Sequence, residues 1–189
     1  MGQLYHTKSI TRREVEEKLK GVGDYVKMDF LAQCLKKQID FDTKKFILLK
    51  LAEIYEQRKM FSEAGKMMRS AAEINATYDG KMSDFMKSCT LFIKGGNLED
   101  GDTSFTKAIG CANGMQKDRL KSMRKEALKA QAKEFMNKDR RSHALTVYEK
   151  LLTLELTPDE KKEAQSTLIG IYEKLGKVRE FYALKANMG

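Results

Sequence analysis

Residues 45–78 read KFILLKLAEIYEQRKMFSEAGKMMRSAAEINATY, and this stretch decides the fold. Apolar and small residues recur in it at three- and four-residue spacings, in two runs separated by a short polar break, which predicts two amphipathic helices. These residues are Leu48, Leu51, Ala52 and Tyr55 in the first run and Ala64, Met68 and Ala71 in the second. Because one helix pair cannot cover both of its apolar faces, the stretch needs neighbouring pairs on each side.

Variants of this pattern occur along most of the chain. Further copies cover residues 82–115 and 125–158, another begins at residue 162, and a degenerate copy precedes them all. One large apolar residue marks the phase of each copy: Leu19, Tyr55, Phe92, Phe135 and Tyr172. Consecutive markers are separated by 36, 37, 43 and 37 residues. The longest step indicates extra residues between Gly114 and Arg124.

The pattern resembles the tetratricopeptide repeat family, whose unit is a helix–turn–helix of about 34 residues. Residues 45–78 match the family's large, Leu, small and Tyr positions in the first helix and its two Ala positions in the second, with Met68 in place of an aromatic residue. The resemblance implies an all-α fold, a right-handed α-solenoid of about four to five antiparallel helix pairs. It also implies a single repeat domain, residues 11–189, after an N-terminal tail, residues 1–10. Its units are expected at residues 11–44, 45–78, 82–115, 125–158 and 162–189.

Composition agrees with an all-α chain. The 189 residues include only one proline, Pro158, and good helix formers dominate. No apolar run is long enough to span a bilayer. The three cysteines are widely spaced and odd in number, which predicts reduced thiols and a cytoplasmic protein.

Local signals predict several helix ends. Thr11 and Glu14 have the spacing of a capping box, which predicts a helix running to about Val22. Asp42 is expected to cap the helix through Tyr55, and Pro158 is expected in the first turn of a later helix. Residues 178–188 present Phe181, Tyr182 and Leu184, which either cap the core or form an exposed contact surface.

The sequence offers no recognisable catalytic constellation. Its two histidines are His6, in the expected tail, and His143, at a helix position expected to face solvent. Gly-rich phosphate loops, H-E-x-x-H and C-x-x-C are all missing. The acidic stretch at residues 97–102 lacks the ligand spacing of a calcium loop. We therefore expect no enzyme activity, no metal site and no cofactor.

Charge is concentrated in one segment. The formal net charge is +9, and residues 117–141 hold ten basic and four acidic side chains. Within this segment Lys121, Lys125, Lys129 and Lys133 recur every fourth residue and form one ridge along a helix. Two interpretations are open: a solvated helix face, or a surface that attracts acidic groups.

The tetratricopeptide resemblance implies a binding groove, because the first helix of each pair lines a concave surface in that family. The expected groove residues are Phe46, Leu49, Lys50, Met86, Lys87, Lys94, Lys129, Lys133 and Met136. The leading hypothesis is a protein–protein interaction module, an adaptor or scaffold, that binds a protein segment with acidic and apolar residues. The alternative is a nucleic-acid-binding repeat protein that uses the basic ridge in residues 117–141.

Overall fold

The computed structural model describes residues 10–188, and ten helices account for most of this range. No described residue lies in a β-strand, which confirms the all-α prediction. Most of the expected tail at residues 1–10, including His6, lies outside the described residues. No described helix is long and apolar enough to cross a membrane.

The ten helices form five consecutive pairs. Their bounds are α1 Arg12–Lys18, α2 Asp24–Leu35, α3 Phe41–Gln57, α4 Phe61–Glu73, α5 Tyr78–Lys94, α6 Leu98–Cys111, α7 Gly114–Asn137, α8 Arg141–Leu152, α9 Pro158–Lys174 and α10 Val178–Ala186. The pairs that begin at α3, α5 and α9 start four residues before the expected units at 45, 82 and 162. This sequential order is compatible with an α-solenoid.

Helix starts follow side-chain capping, with two differences from expectation. Thr11 accepts from the Glu14 amide and Glu14 accepts from the Thr11 amide, so the predicted capping box is present. However, α1 ends at Lys18 rather than near Val22, because the chain turns through Gly21 at a φ of +69°. The cap of α3 is Asp40, whose carboxylate accepts from the Thr43 amide at 2.8 Å, and not Asp42.

The same type of turn joins the two helices in four of the five pairs. The residue with positive φ is Lys59 (60°), Gly96 (78°), Asp139 (55°) and Gly176 (67°) in successive pairs. Each lies four residues after a sequence marker, so the turns are separated by the same 37, 43 and 37 residues. The repeat phase predicted from the sequence is therefore also the phase of the backbone.

The hydrogen bonds of this turn recur with it. The amides of Met60, Arg140 and Lys177 donate to carbonyls five residues earlier at 2.8, 2.8 and 2.9 Å. This six-to-one bond around a left-handed residue is the Schellman helix terminus, which satisfies carbonyls that the helix leaves open. It also reverses the chain within three residues and sets the second helix beside the first.

The long step between markers comes from a long helix. α7 has 24 residues, seven more than α5 or α9. The extra residues lie at its N-terminal end, where Leu120 is the first buried side chain. The excess predicted between Gly114 and Arg124 is thus helical and not a loop.

The chain divides into two compact units, which we describe separately. Unit 1 comprises residues up to 95 together with 100–112, and unit 2 comprises residues 96–99 together with 113–189. One core cluster of unit 1 joins α1, α2 and α3 through Val15, Leu31, Cys34, Ile47 and Leu51. A second cluster joins α3, α4 and α5 through Ala52, Ala64, Met68 and Leu91.

Small residues allow close approach between α4, α5 and α6. A Cβ added at Gly65 would lie 3.0 Å from the Phe92 ring. The Ser88 hydroxyl donates to the Gly65 carbonyl at 2.8 Å and lies 3.0 Å from the Ser104 hydroxyl, and all three residues are buried. The backbone of α4 therefore packs directly against side chains of α5, and the buried polar groups are hydrogen-bonded.

Unit 2 has its own core and its own polar links. Leu128, Ala132 and Phe135 of α7 are buried, as are Ala144 and Leu151 of α8. Between α8 and α9, the Tyr172 hydroxyl donates to Glu149 at 3.0 Å. Burial, reinforced by the nearby Glu149 carboxylate, raises the pKa of Tyr172 to about 12.

The recurring turn predicts opposite effects for two substitutions. Lys59→Gly should raise the free energy of unfolding by about 1 kcal/mol, because it removes a side chain from a left-handed conformation. Gly176→Ala should lower it by about 1 kcal/mol for the same reason. Gly170→Ala is the matched control, because Gly170 lies inside α9 with open space around it, and there alanine should stabilise. Urea unfolding followed by circular dichroism measures all three; a Gly176→Ala protein as stable as wild type would contradict this role of the turn.

The buried alanines of the second helices predict sensitivity to volume. Ala64, Ala108 and Ala144 are each fully buried. Replacement by Leu should destabilise by roughly 1–3 kcal/mol through overpacking, and replacement by Asp should cost more because it buries an unpaired charge. Changes at the exposed Lys66 and Lys107 are the controls. Equal tolerance at both sets, measured by thermal unfolding, would show that these helix faces are misassigned.

Candidate interaction surface

The nine residues predicted to line a groove fall into both units. Phe46, Leu49 and Lys50 lie on α3 and Met86, Lys87 and Lys94 lie on α5, all in unit 1. The other three, Lys129, Lys133 and Met136, lie on α7 in unit 2. The two sets are therefore considered as two surfaces.

In unit 1, α3 presents an accessible mixed stripe. Phe46 is half-buried, and the guanidinium of Arg12 lies 4.7 Å from the centre of its ring. Leu49 is 37% exposed. Lys50 is half-buried and forms an ion pair with Glu53 at 2.8 Å. All three of these predicted residues are accessible to solvent.

Phe46 and Lys50 line an open depression of about 510 Å³ between α1, α2 and α3. The remaining lining residues include Arg12, Leu19, Lys20 and Lys27, which sequence reasoning did not assign to a site. Their signal in the sequence is weak, because they belong to the degenerate first copy. We call this depression, with the α3 stripe, the unit 1 surface.

Met86 does not belong to the unit 1 surface. It is 2% exposed, and Phe85, Cys89, Phe92 and Ile93 on the same helix are also buried. α5 packs against α4, and its Cys89 and Phe92 lie beside Gly101 of α6, so a wide arc of the helix is covered. A methionine placed in a groove by repeat position is therefore a core residue here.

Lys87 and Lys94 of α5 share one carboxylate. Each ammonium lies 3.5 Å from an oxygen of Glu56 on α3. They link consecutive first helices, and two positive charges meet one negative charge.

In the depression, four basic residues face three acidic ones, and Lys27 forms no ion pair with a described residue. The unit 1 surface is thus mixed, with a small basic excess.

The basic ridge of unit 2 meets carboxylates of the same chain. Lys121 lies 3.7 Å from Glu155 and Lys125 lies 2.9 Å from Glu160. Lys129 contacts Glu160 at 2.5 Å and Glu126 at 3.2 Å. Only the fourth lysine of the ridge, Lys133, is exposed without an ion pair to a described residue.

Glu160 is the centre of this ridge contact. Its carboxylate receives the ammonium groups of Lys125 and Lys129 and also the Thr157 amide at 2.9 Å, as the capping box of α9. The hydrogen bonds from Lys129 and Lys125 lower the pKa of Glu160 from 4.5 to about 2. The same contact raises the pKa of Lys129. The mutual repulsion of the ridge lysines is therefore offset within unit 2.

Met136 and His143 are the remaining residues that the sequence analysis named as candidates or considered for catalysis. Met136 is half-buried on α7. His143 is exposed, as expected, with its ring 5.3 Å from that of Phe135 and its Nε2 3.4 Å from Arg140. Among the described residues no group of three His, Cys, Asp or Glu side chains is placed to hold a metal ion.

No model of a known protein family matches this chain, and a search of curated proteins finds no significant match. The tetratricopeptide resemblance accordingly stands on the residue pattern. The recurring turn shows a repeated unit in the described residues and does not identify a family.

The Glu160 contact predicts a pH dependence of stability. A carboxylate whose pKa is lower in the folded protein stabilises it above pH 4.5, and this contribution is lost as the pH falls towards about 2. Glu160→Gln retains a side chain suited to the capping box but removes the charge. The difference in unfolding free energy between wild type and Glu160→Gln should shrink between pH 5 and pH 2.

Urea unfolding at a series of pH values measures this difference. Glu155→Gln is the control, because Glu155 is 91% exposed and its substitution should leave the unfolding free energy close to wild type. A difference between wild type and Glu160→Gln that does not change with pH would contradict the proposed charge contact.

Proposed function

We propose that the chain is a protein–protein interaction module, and that the unit 1 surface binds a protein segment carrying apolar and acidic residues. This proposal rests on the open depression of about 510 Å³, which is lined by Phe46 and Lys50 of α3 and by basic residues of α1 and α2. Concave surfaces are the usual sites of recognition, and this one places the apolar residues Leu19, Phe46 and Ile54 among charged side chains. A cytoplasmic location and the absence of catalysis belong to the same proposal.

Apolar contacts must supply most of the affinity. An exposed ion pair contributes only about 0.2–1 kcal/mol, so lysines alone do not hold a segment tightly. Phe46 and Leu49 are accessible apolar residues on α3, and Leu19 lines the same depression as Phe46. The core position of Met86 removes one of the anchors expected from the sequence.

Charge then selects the partner. Lys27 has no carboxylate partner among the described residues, and Lys87 and Lys94 have one between them. An acidic group on the bound segment would complete these contacts and would also accelerate encounter. The ridge in unit 2 supports nucleic-acid binding less well, since three of its four lysines already contact carboxylates of the chain.

A peptide selection tests this function. A random peptide library displayed on phage is selected on the immobilised protein, and the affinity of a recovered peptide is measured by titration calorimetry. Peptides should be enriched in acidic and large apolar residues. Lys27→Glu combined with Lys50→Glu should weaken binding by about tenfold, which is about 1.4 kcal/mol.

The control is Lys36→Glu combined with Lys66→Glu. Lys66 is matched to Lys50, because each pairs with a glutamate three residues away on an exposed helix face. Lys36 is exposed at the end of α2, as a control for Lys27. Equal losses in both double variants would refute the assignment of the surface. Preferential binding of a single-stranded oligonucleotide, with a steep loss of affinity in salt, would favour the nucleic-acid alternative.

A further inference from the structure

The last helix, α10, leaves one side uncovered. None of its residues is buried, Val178 is 61% exposed and Tyr182 is 65% exposed. With Lys185 and Ala186, these residues lie at positions i, i+4, i+7 and i+8 of the helix and therefore on one side of it. We call this set the α10 stripe. The outer side of α10 is therefore accessible, and it carries apolar residues where a capping helix would carry polar ones.

The recurring turn identifies the equivalent residues in the preceding pair. Asp139 and Gly176 occupy the same turn position, so residues of α8 correspond to residues of α10 that lie 37 positions later. The equivalents of the α10 stripe are Arg141, Leu145, Tyr148 and Glu149.

In α8, two of these positions, Tyr148 and Glu149, lie against the next first helix, α9, and a third, Leu145, is buried. Leu145 is 6% exposed. The side chain of Tyr148 lies near that of Thr167, and Glu149 accepts from the Tyr172 hydroxyl at 3.0 Å. The same position occurs once more in α4, where Gly65 is buried and its carbonyl accepts from Ser88 of α5. In two of the three earlier pairs with this turn, α3–α4 and α7–α8, another helix packs on this side of the second helix.

We infer that the α10 stripe is a docking surface for an amphipathic helix of a partner protein. This helix packs on α10 in the way that α9 packs on α8. The interaction continues a packing arrangement that the chain already uses twice. It lies in unit 2 and does not depend on the function proposed for the unit 1 surface.

The stripe defines the chemistry of the incoming helix. Lys185 takes the place of Tyr148, has no ion pair with a described residue, and lies 5.2 Å from the centre of the Phe181 ring. An acidic residue at the position that Thr167 occupies in α9 would pair with it. Ala186 in place of Glu149 leaves room for a large apolar side chain. A depression of about 310 Å³, lined by Tyr172, Phe181 and Tyr182 among others, lies beside the stripe and can receive another.

Peptides based on α9 test this inference. The probes are synthetic peptides of residues 157–175, one with Thr167→Glu and one with Thr167→Lys, titrated into the isotope-labelled full chain. Amide chemical shifts should change in α10. The Thr167→Glu peptide should bind about two- to fivefold more tightly than the Thr167→Lys peptide. Lys185→Glu in the protein should reverse this order, and the resulting cycle isolates the contact between the two positions.

Tyr182→Glu should weaken both peptides at least tenfold, because it places a carboxylate at the centre of the stripe. Tyr78→Glu is the matched control, since Tyr78 is 75% exposed at the start of α5 in unit 1 and should not affect binding. Circular dichroism checks that both variants remain folded.

Three results would overturn the inference. They are the absence of shift changes at millimolar peptide, shift changes that do not include α10, and a peptide order that Lys185→Glu leaves unchanged. A chain that doubles its mass with concentration and becomes monomeric with Tyr182→Glu would also overturn it, because a second copy would then cover the stripe.

Discussion

The left-handed residue that closes four of the five helix pairs is the constraint on which the described structure depends. A positive φ at residues 59, 96, 139 and 176 allows the chain to reverse within three residues. The six-to-one hydrogen bond of the same turn uses a carbonyl that the first helix would otherwise leave open. Since the turn sets where each second helix starts, it also determines which of its sides is covered and which is accessible.

Ion pairs between consecutive first helices are the second recurring feature. Glu56 receives Lys87 and Lys94 in unit 1, and Glu160 receives Lys125 and Lys129 in unit 2. In each case one carboxylate meets two ammonium groups. These contacts are partly exposed, so each contributes modestly to stability. Their larger effect is on recognition, because they reduce the number of lysines that are available to a partner.

The two surfaces proposed for binding differ in how they arise. The unit 1 surface is a depression between helices that are all present, with charge of both signs around Phe46. The α10 stripe is one side of a single helix, and it is accessible because no described helix takes the place that α9 takes on α8. We propose the first surface for a segment with acidic and apolar residues, and the second for an amphipathic helix.

The sequence by itself determined that the chain is helical and the phase of its repeat, although it misplaced the end of α1 and the cap of α3. These properties depend on residues within one or two helical turns, as with Thr11 and Glu14 or with the markers and the turn residues four positions later. It also identified Phe46, Leu49 and Lys50 as accessible. Tertiary structure decided the burial of Met86, the pairing of the ridge lysines with Glu160, and the exposure of the α10 stripe. The spacing of residues along a helix gives the direction of each side chain around that helix. Which of those directions is covered depends on another helix, such as α4 for α5 or α9 for α7, and no local pattern encodes its placement.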